Sequence, residues 1–185
     1  MQKNYNRINV IDDFFSMDDF FKIKAYQECS PYQARYQPFQ ANYSNRFKGY
    51  PVWEFSIEKN HPVYDMLSKT IELKFSNEFE IKISLLRKIY TDELLKSPYK
   101  GRQHGMIHKD NNDIAMAGVI YLNGESINGG TYLFSNELQV EPEIIVGSKI
   151  NRCVIYDSNI LHSAGIEWED KVRNIIAFFL KRKEQ

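Results

Sequence analysis

The chain has 185 residues, 43% of them hydrophobic and 26% charged, with 24 basic side chains against 24 acidic ones. That length leaves room for a sizeable core, and the even charge removes any global pull toward nucleic acid or an anionic membrane. Cys29 and Cys153 lie far apart in sequence, no window is apolar enough for a membrane span, and Met1-Gln2-Lys3-Asn4-Tyr5 lacks the apolar core of a secretion signal, so a cytoplasmic protein without disulfides or a membrane partner is expected.

In chain order, Asn9-Val10-Ile11-Asp12-Asp13-Phe14-Phe15 reads as a short strand entering a helix. Ser16 is placed to cap that helix, with Asp19 three residues on as a capping-box partner, and Ser30-Pro31 stops it after Cys29. Residues 31–53 read as irregular and ring-rich, with Tyr32, Tyr36, Phe39, Tyr43, Phe47, Tyr50 and Trp53 around Arg35, Arg46 and Lys48. Asn60-His61-Pro62 opens a second helix with Val63, Leu67, Ile71 and Leu73 on one stripe. Strand-like stretches follow at 81–90, 114–122, 131–134, 150–156 and 174–180, with a polar loop over 91–103. Asn123-Gly124 and Asn128-Gly129-Gly130 are turn signals between strands. Two helices followed by many short strands predict a mainly β fold with flanking α-helices.

One constellation among these elements carries chemistry. In an extended segment, residues i and i+2 point the same way, so His108 and Asp110 can reach one ion while Lys109 points aside. His162 follows the strong strand Cys153-Val154-Ile155-Tyr156. Two histidines and one carboxylate are the ligand set of a non-haem ferrous centre with open positions, enough for a bidentate 2-oxo acid and dioxygen. A dicarboxylate held there by its 2-oxo end would bury a second carboxylate, which costs several kcal/mol without a partner. Arg173, heading the apolar strand Arg173-Asn174-Ile175-Ile176-Ala177-Phe178-Phe179-Leu180, offers a bidentate guanidinium. An HxD triplet alone is a weak signal; the weight lies in the order HxD, strand, Gly-Gly turn, strand, His, Arg, strand.

With those residues in view, the stretch 80–181 resembles the 2-oxoglutarate- and iron(II)-dependent dioxygenases, in particular the prolyl-4-hydroxylase-like branch, and the whole chain resembles small members of that superfamily from phages and marine bacteria. The resemblance rests on His108-Lys109-Asp110, Val119-Ile120-Tyr121-Leu122-Asn123, Gly129-Gly130-Thr131-Tyr132-Leu133-Phe134, the stretch from Tyr156 to Ser163, and Arg173 to Leu180. It implies a single domain over 1–185, with a double-stranded β-helix (jelly-roll, cupin-like) core over 80–181 and a helical flank with an aromatic loop over 1–79. It also implies Fe(II), 2-oxoglutarate as cosubstrate, O2, and ascorbate as a reductant. The implied reaction converts 2-oxoglutarate to succinate while hydroxylating a prime substrate, either a protein or peptide residue such as proline or a small molecule. Carried over to this chain, His108, Asp110 and His162 are the catalytic metal ligands and Arg173 grips the distal carboxylate of the cosubstrate. Tyr121 matches a tyrosine that donates to the same carboxylate, and Tyr132 matches a position lining the cosubstrate pocket. Two departures stand out: either Tyr90 or Tyr99 could match the tyrosine that precedes the HxD, and the clamp is arginine where prolyl hydroxylases often use lysine.

The ring-rich segment 32–53 and the loop 91–103 are candidate rims for the prime substrate. A second class of function is a non-catalytic, metal-binding jelly roll of the cupin or lectin kind. Arg173 discriminates the two, because only the oxygenase needs it for 2-oxoglutarate.

Overall fold

Helix α1 (Met17–Cys29) begins where the sequence places its cap: Ser16 Oγ accepts from the Asp19 amide at 3.2 Å and donates to the Asp19 carboxylate at 3.0 Å. Ser30 closes the other end by donating to the Tyr26 carbonyl at 2.6 Å, and Pro31 cannot extend the helix. Helix α2 (Pro62–Phe75) carries Pro62 in its first turn and buries Val63, Leu67 and Ile71, spaced four apart. Leu73 leaves the expected stripe and is 86% exposed, because two residues beyond Ile71 turn the helix to its opposite side. The computed structural model describes residues 8–37, 50–90, 107–110, 113–136, 141–165 and 171–183.

Ten strands are defined among those residues: β1 (Ile8–Ile11), β2 (Gln33–Gln37), β3 (Tyr50–Ser56), β4 (Phe79–Tyr90), β5 (Met116–Tyr121), β6 (Ser126–Phe134), β7 (Ile144–Ser148), β8 (Cys153–Asp157), β9 (Leu161–Ala164) and β10 (Val172–Arg182). They form two antiparallel sheets, ordered β1-β8-β5-β10-β4-β3-β2 and β7-β6-β9. Strand alternation divides the core in two. Leu86, Ile120, Ile155, Ile176 and Phe178 of the larger sheet pack with Phe20 and Ile23 of α1 and Val63, Leu67 and Ile71 of α2. Ile89, Ala117, Tyr121, Val154, Ile175 and Ala177, from the alternate positions, pack against Leu133 and Val146 of the smaller sheet. The helices therefore cover the outer face of the larger sheet and the smaller sheet covers its inner face. This is a jelly roll, mainly β with flanking helices, as the sequence predicts.

Several local expectations are corrected. Residues 31–53 are not irregular throughout: 33–37 and 50–56 pair as β2 and β3 and extend the larger sheet beyond β4. The segment before residue 80 thus adds three strands to that sheet as well as two helices. Gly129-Gly130 lies inside β6, where the register against β7 shifts between Ser126 and Thr131. A β-carbon on Gly130 would collide with the Val146 carbonyl oxygen, so glycine there serves a close backbone approach. Strands β7 and β9 add to those predicted, and residues 150–152 turn into β8 instead of belonging to it. Asn151 occupies that turn at φ +59°, and its buried side chain bonds both the amide and the carbonyl of Phe15, at 3.0 and 2.9 Å. It fastens the start of α1 to the jelly roll. Cys29 and Cys153 are free thiols, and no helix among the described residues is long and apolar enough to cross a membrane.

Candidate metal centre

The backbone fixes three side chains before any ion is considered. His108 and His162 exchange amide–carbonyl hydrogen bonds of 3.0 and 2.9 Å, so the HxD segment lies along β9 at the edge of the smaller sheet. The Asp110 amide donates to the Ser158 carbonyl at 3.0 Å, and Ser158 Oγ donates to the Ile114 carbonyl. His162 is itself a strand residue, opposite Leu133 of β6. The result brings one ligand atom from each of His108, Asp110 and His162 within 4.8 Å of the others. The two imidazole rings are 4.3 Å apart, and the Tyr156 ring lies 4.8 Å from that of His162.

The protonation states follow from burial and hydrogen bonding. Burial, with the charge of His108 added, pushes His162 down to about 3, so its imidazole is neutral at ordinary pH. Its Nδ1 lies 2.9 Å from the Ile160 carbonyl oxygen. A carbonyl can only accept, so Nδ1 carries the hydrogen and Nε2 presents a bare lone pair. Asp110 Oδ2 sits 3.6 Å from that Nε2, buried and without a hydrogen-bond partner. Burial raises the Asp110 carboxyl above its ordinary value, offset in part by the charges of His108 and Arg87. A lone pair and a buried carboxyl oxygen thus face each other with no hydrogen bond between them. A cation is the group that satisfies both, and two histidines with a carboxylate suit a first-row divalent ion.

These residues open on a cavity of about 80 Å³ between the sheets, several times the space one water needs. Arg173, Thr131, Tyr156, Ser163, Ile175 and Arg87 are among its lining residues. Arg173 is 4% exposed at the head of β10, with its guanidinium 5.3 Å from the centre of the Tyr121 ring. Tyr121 lies fully buried behind Arg173, and its hydroxyl shares a 2.7 Å hydrogen bond with Thr131 Oγ1. The structure therefore brings Arg173 to the same cavity as the two histidines and Asp110, with Tyr121 behind it.

Tyr132 is placed differently from the expectation. Its ring packs with Ile107, Phe134 and Leu161, its hydroxyl donates to the Asn128 carbonyl at 3.1 Å, and it does not line the cavity. Neighbours on a strand face opposite ways, and Thr131 takes the inward position. Tyr90 is 39% exposed and lines no part of the cavity, while Tyr99 lies outside the described residues, as do 38–49 and the whole of 91–103. Among the lining residues to which the sequence assigns no role are Tyr156 and Arg87. Arg87 stands two residues before the buried Ile89, a same-face spacing visible in the sequence, but nothing in the sequence marks that face as the inner one.

No family model and no curated protein matches this sequence. Solved structures do. An oxidoreductase of the 2OG-Fe(II) oxygenase family from Burkholderia pseudomallei is 12% identical, covers 97% of this chain and 87% of its own, and superposes with a TM-score of 0.66. The epimerase SnoN from nogalamycin biosynthesis, solved with Fe3+, alpha ketoglutarate and nogalamycin RO, is 10% identical over 96% of this chain and 80% of its own, TM-score 0.64. A prolyl hydroxylase from Trichoplax adhaerens, in complex with a hypoxia inducible factor peptide fragment, is 16% identical over 96% and 84%, TM-score 0.60. At such identities the likeness speaks for the fold: this chain has the jelly-roll fold of the 2OG-Fe(II) oxygenases, prolyl hydroxylases among them. Within that fold it holds a His-Asp-His cluster able to bind a metal.

Proposed function

We propose that the protein is a 2-oxoglutarate- and Fe(II)-dependent dioxygenase that hydroxylates a prime substrate, a peptide or protein residue such as proline or a small molecule. The observation that carries this reading is the facing pair of acceptors, His162 Nε2 and the unpartnered Asp110 Oδ2, 3.6 Å apart beside His108. His108, Asp110 and His162 would hold the iron. Bound there, iron supplies the redox chemistry by which O2 and 2-oxoglutarate yield succinate, CO2 and one oxygen atom inserted into a C–H bond, with ascorbate keeping the metal reduced.

The chain's own residues orient and neutralise. The Ile160 carbonyl fixes the His162 tautomer, so its Nε2 lone pair needs no proton removed before binding a metal. Arg173, buried on the same cavity, would pair with the distal carboxylate of 2-oxoglutarate, which otherwise would be buried uncompensated. Tyr121 packs against that guanidinium and, through Thr131, adds a hydroxyl pair at the same end. Val119, Ile175 and Ala177 line the wall with apolar surface, which limits competing water.

The test is calorimetric titration of 2-oxoglutarate into Mn(II)-loaded protein, with succinate release from the Fe(II) form under air as the second measurement. Binding is expected in the wild type and lost in Arg173→Ala with metal affinity retained. Metal binding without any affinity for 2-oxoglutarate, unchanged by Arg173→Ala, is the result that would assign a non-catalytic metal-binding jelly roll instead.

A further inference from the structure

Two arginines line the cavity, and the dioxygenase reading uses one of them. Arg87 of β4 stands opposite Ile175 of β10, and Arg173 of β10 stands opposite Ile89 of β4. The two arginines are diagonal neighbours on one sheet face, with backbones about 7–8 Å apart. Their charges serve different surroundings. Arg173 lies against Tyr121, whereas the charge of Arg87 bears on Asp110.

Arg87 is anchored from behind. Glu54 of β3 is its cross-strand partner, with Oε1 2.7 Å from Nε. Both side chains are largely buried, 19% and 11% exposed. The contact is an ion pair without the alignment of a hydrogen bond, and the buried Nε–H has no hydrogen-bond acceptor. Around it the wall is apolar: Val52, Ile89, Ala117, Ile175 and Phe179. A buried ion pair in such a wall seldom adds stability over a well-packed apolar pair of the same volume. Its presence beside the His-Asp-His cluster points to use. Guanidinium is the side chain that receives a carboxylate bidentately. Once a divalent metal, Asp110, a dianionic cosubstrate and Arg173 offset one another, Arg87 is the remaining charge on the lining, tempered by Glu54. Glu54 lies outside the lining, so the face of the guanidinium toward the cavity can take one monoanion; a dianionic phosphate would add a second negative charge with no further cation among the described lining residues to meet it.

We propose that Arg87, backed by Glu54, docks a carboxylate carried by the prime substrate, an assignment that rests on the dioxygenase reading of the same site. The probes are acetate, butyrate and hexanoate against their primary amides. They are added to Mn(II)-loaded protein saturated with 2-oxoglutarate, so that the Arg173 end is occupied. Proton relaxation of the probes reports approach to the paramagnetic ion without turnover. Carboxylate protons should broaden well beyond those of the matching amides. Arg87→Met should weaken carboxylate binding by about tenfold or more, the effect of losing charge-assisted bonds. Glu54→Gln should strengthen it. Should Arg87→Met fail to fold, Arg87→Met combined with Glu54→Leu removes both charges and should give the same loss. Acids and amides broadened alike, or broadening that survives loss of Arg87, would overturn the proposal. So would loss of 2-oxoglutarate affinity in Arg87→Met, which would place Arg87 in the cosubstrate site. If wild-type Mn(II) protein binds no 2-oxoglutarate in calorimetry, the dioxygenase reading itself falls and the proposal with it.

Discussion

Replacing Asp110 by Asn separates what the site does for a metal from what it does to the fold. The Asp110 side chain is 11% exposed, and its Oδ2 lacks a hydrogen-bond partner and faces the bare Nε2 of His162 at 3.6 Å. Burial raises the carboxyl, so the linkage has a definite sign. Stability is fully present below the unfolded carboxyl value and is lost as pH rises through the folded one. As pH rises through that folded value, the metal-free protein takes on the cost of an ionised, unpartnered group, about 1–3 kcal/mol for such a site. Asn has the same shape, carries no charge, and can donate an N–H to Nε2. At roughly 2–4 °C per kcal/mol for a chain of this size, metal-free Asp110→Asn should melt about 2–12 °C above the wild type once that carboxyl is ionised. Adding Mn(II) should reverse the order. A ligand at a hundred times its Kd stabilises the folded state by about 2.7 kcal/mol, a gain the wild type should show and the variant largely lose. Differential scanning calorimetry after chelator treatment, with and without Mn(II) and at pH 7 and pH 4, measures all four cases. The metal-free gap should narrow as pH falls, because the carboxyl takes up its proton more readily in the folded protein than in the unfolded chain. A variant that melts lower than the wild type without metal at pH 7, or that Mn(II) stabilises equally, refutes the argument.

Other outcomes follow from single contacts. Tyr121→Phe should weaken 2-oxoglutarate binding several-fold in calorimetry, while Tyr132→Phe should leave it unchanged, since the Tyr132 hydroxyl is spent on the Asn128 carbonyl; equal effects would restore Tyr132 to the pocket. Asn151→Ala removes both side-chain bonds to Phe15 and puts alanine at a positive φ, which should cost about 2–4 kcal/mol in denaturant unfolding. A loss under about 0.5 kcal/mol would mean that α1 is held by its apolar face alone. Asp12 is held well below the usual carboxylate range by Arg152 and Lys149. That contribution is present above the unfolded carboxyl value and lost as pH falls toward the folded one. Being a surface pair, Arg152→Ala should cost only about 0.5–1 kcal/mol at pH 7, and the difference should shrink in strong acid.

What could be read from the sequence divides along a physical line. The helix ends were legible because capping is local: Ser16, Asp19, Ser30 and Pro31 act within a few residues of themselves. The His108, Asp110 and His162 set was legible for another reason: few residue types suit a divalent metal, so their identity speaks even where the pairing of His108 with His162 does not. Tyr132 shows where legibility ends. A strand alternates with period two, and the register shift between Ser126 and Thr131 moves every later residue of β6 by an amount no count along the chain reveals. Thr131 and Tyr132 could not be told apart until β6 was laid against β7 and β9. Strands β2 and β3 were hidden in the same way, because their hydrogen bonds go to one another and to β4.

Arg87 belongs to this second group, and its position matters for that reason. It gains a role only through two registers at once, β4 against β10 and β4 against β3. The first sets it diagonal to Arg173, so that two like charges share a face yet can diverge along it. The second supplies Glu54, which backs Arg87 from the neighbouring strand while its guanidinium still lines the cavity. A one-residue slip in either pairing would turn Arg87 toward the helices or part it from Glu54. The His108, Asp110 and His162 cluster marks where a metal could sit, but the sheet register decides what can be held beside it.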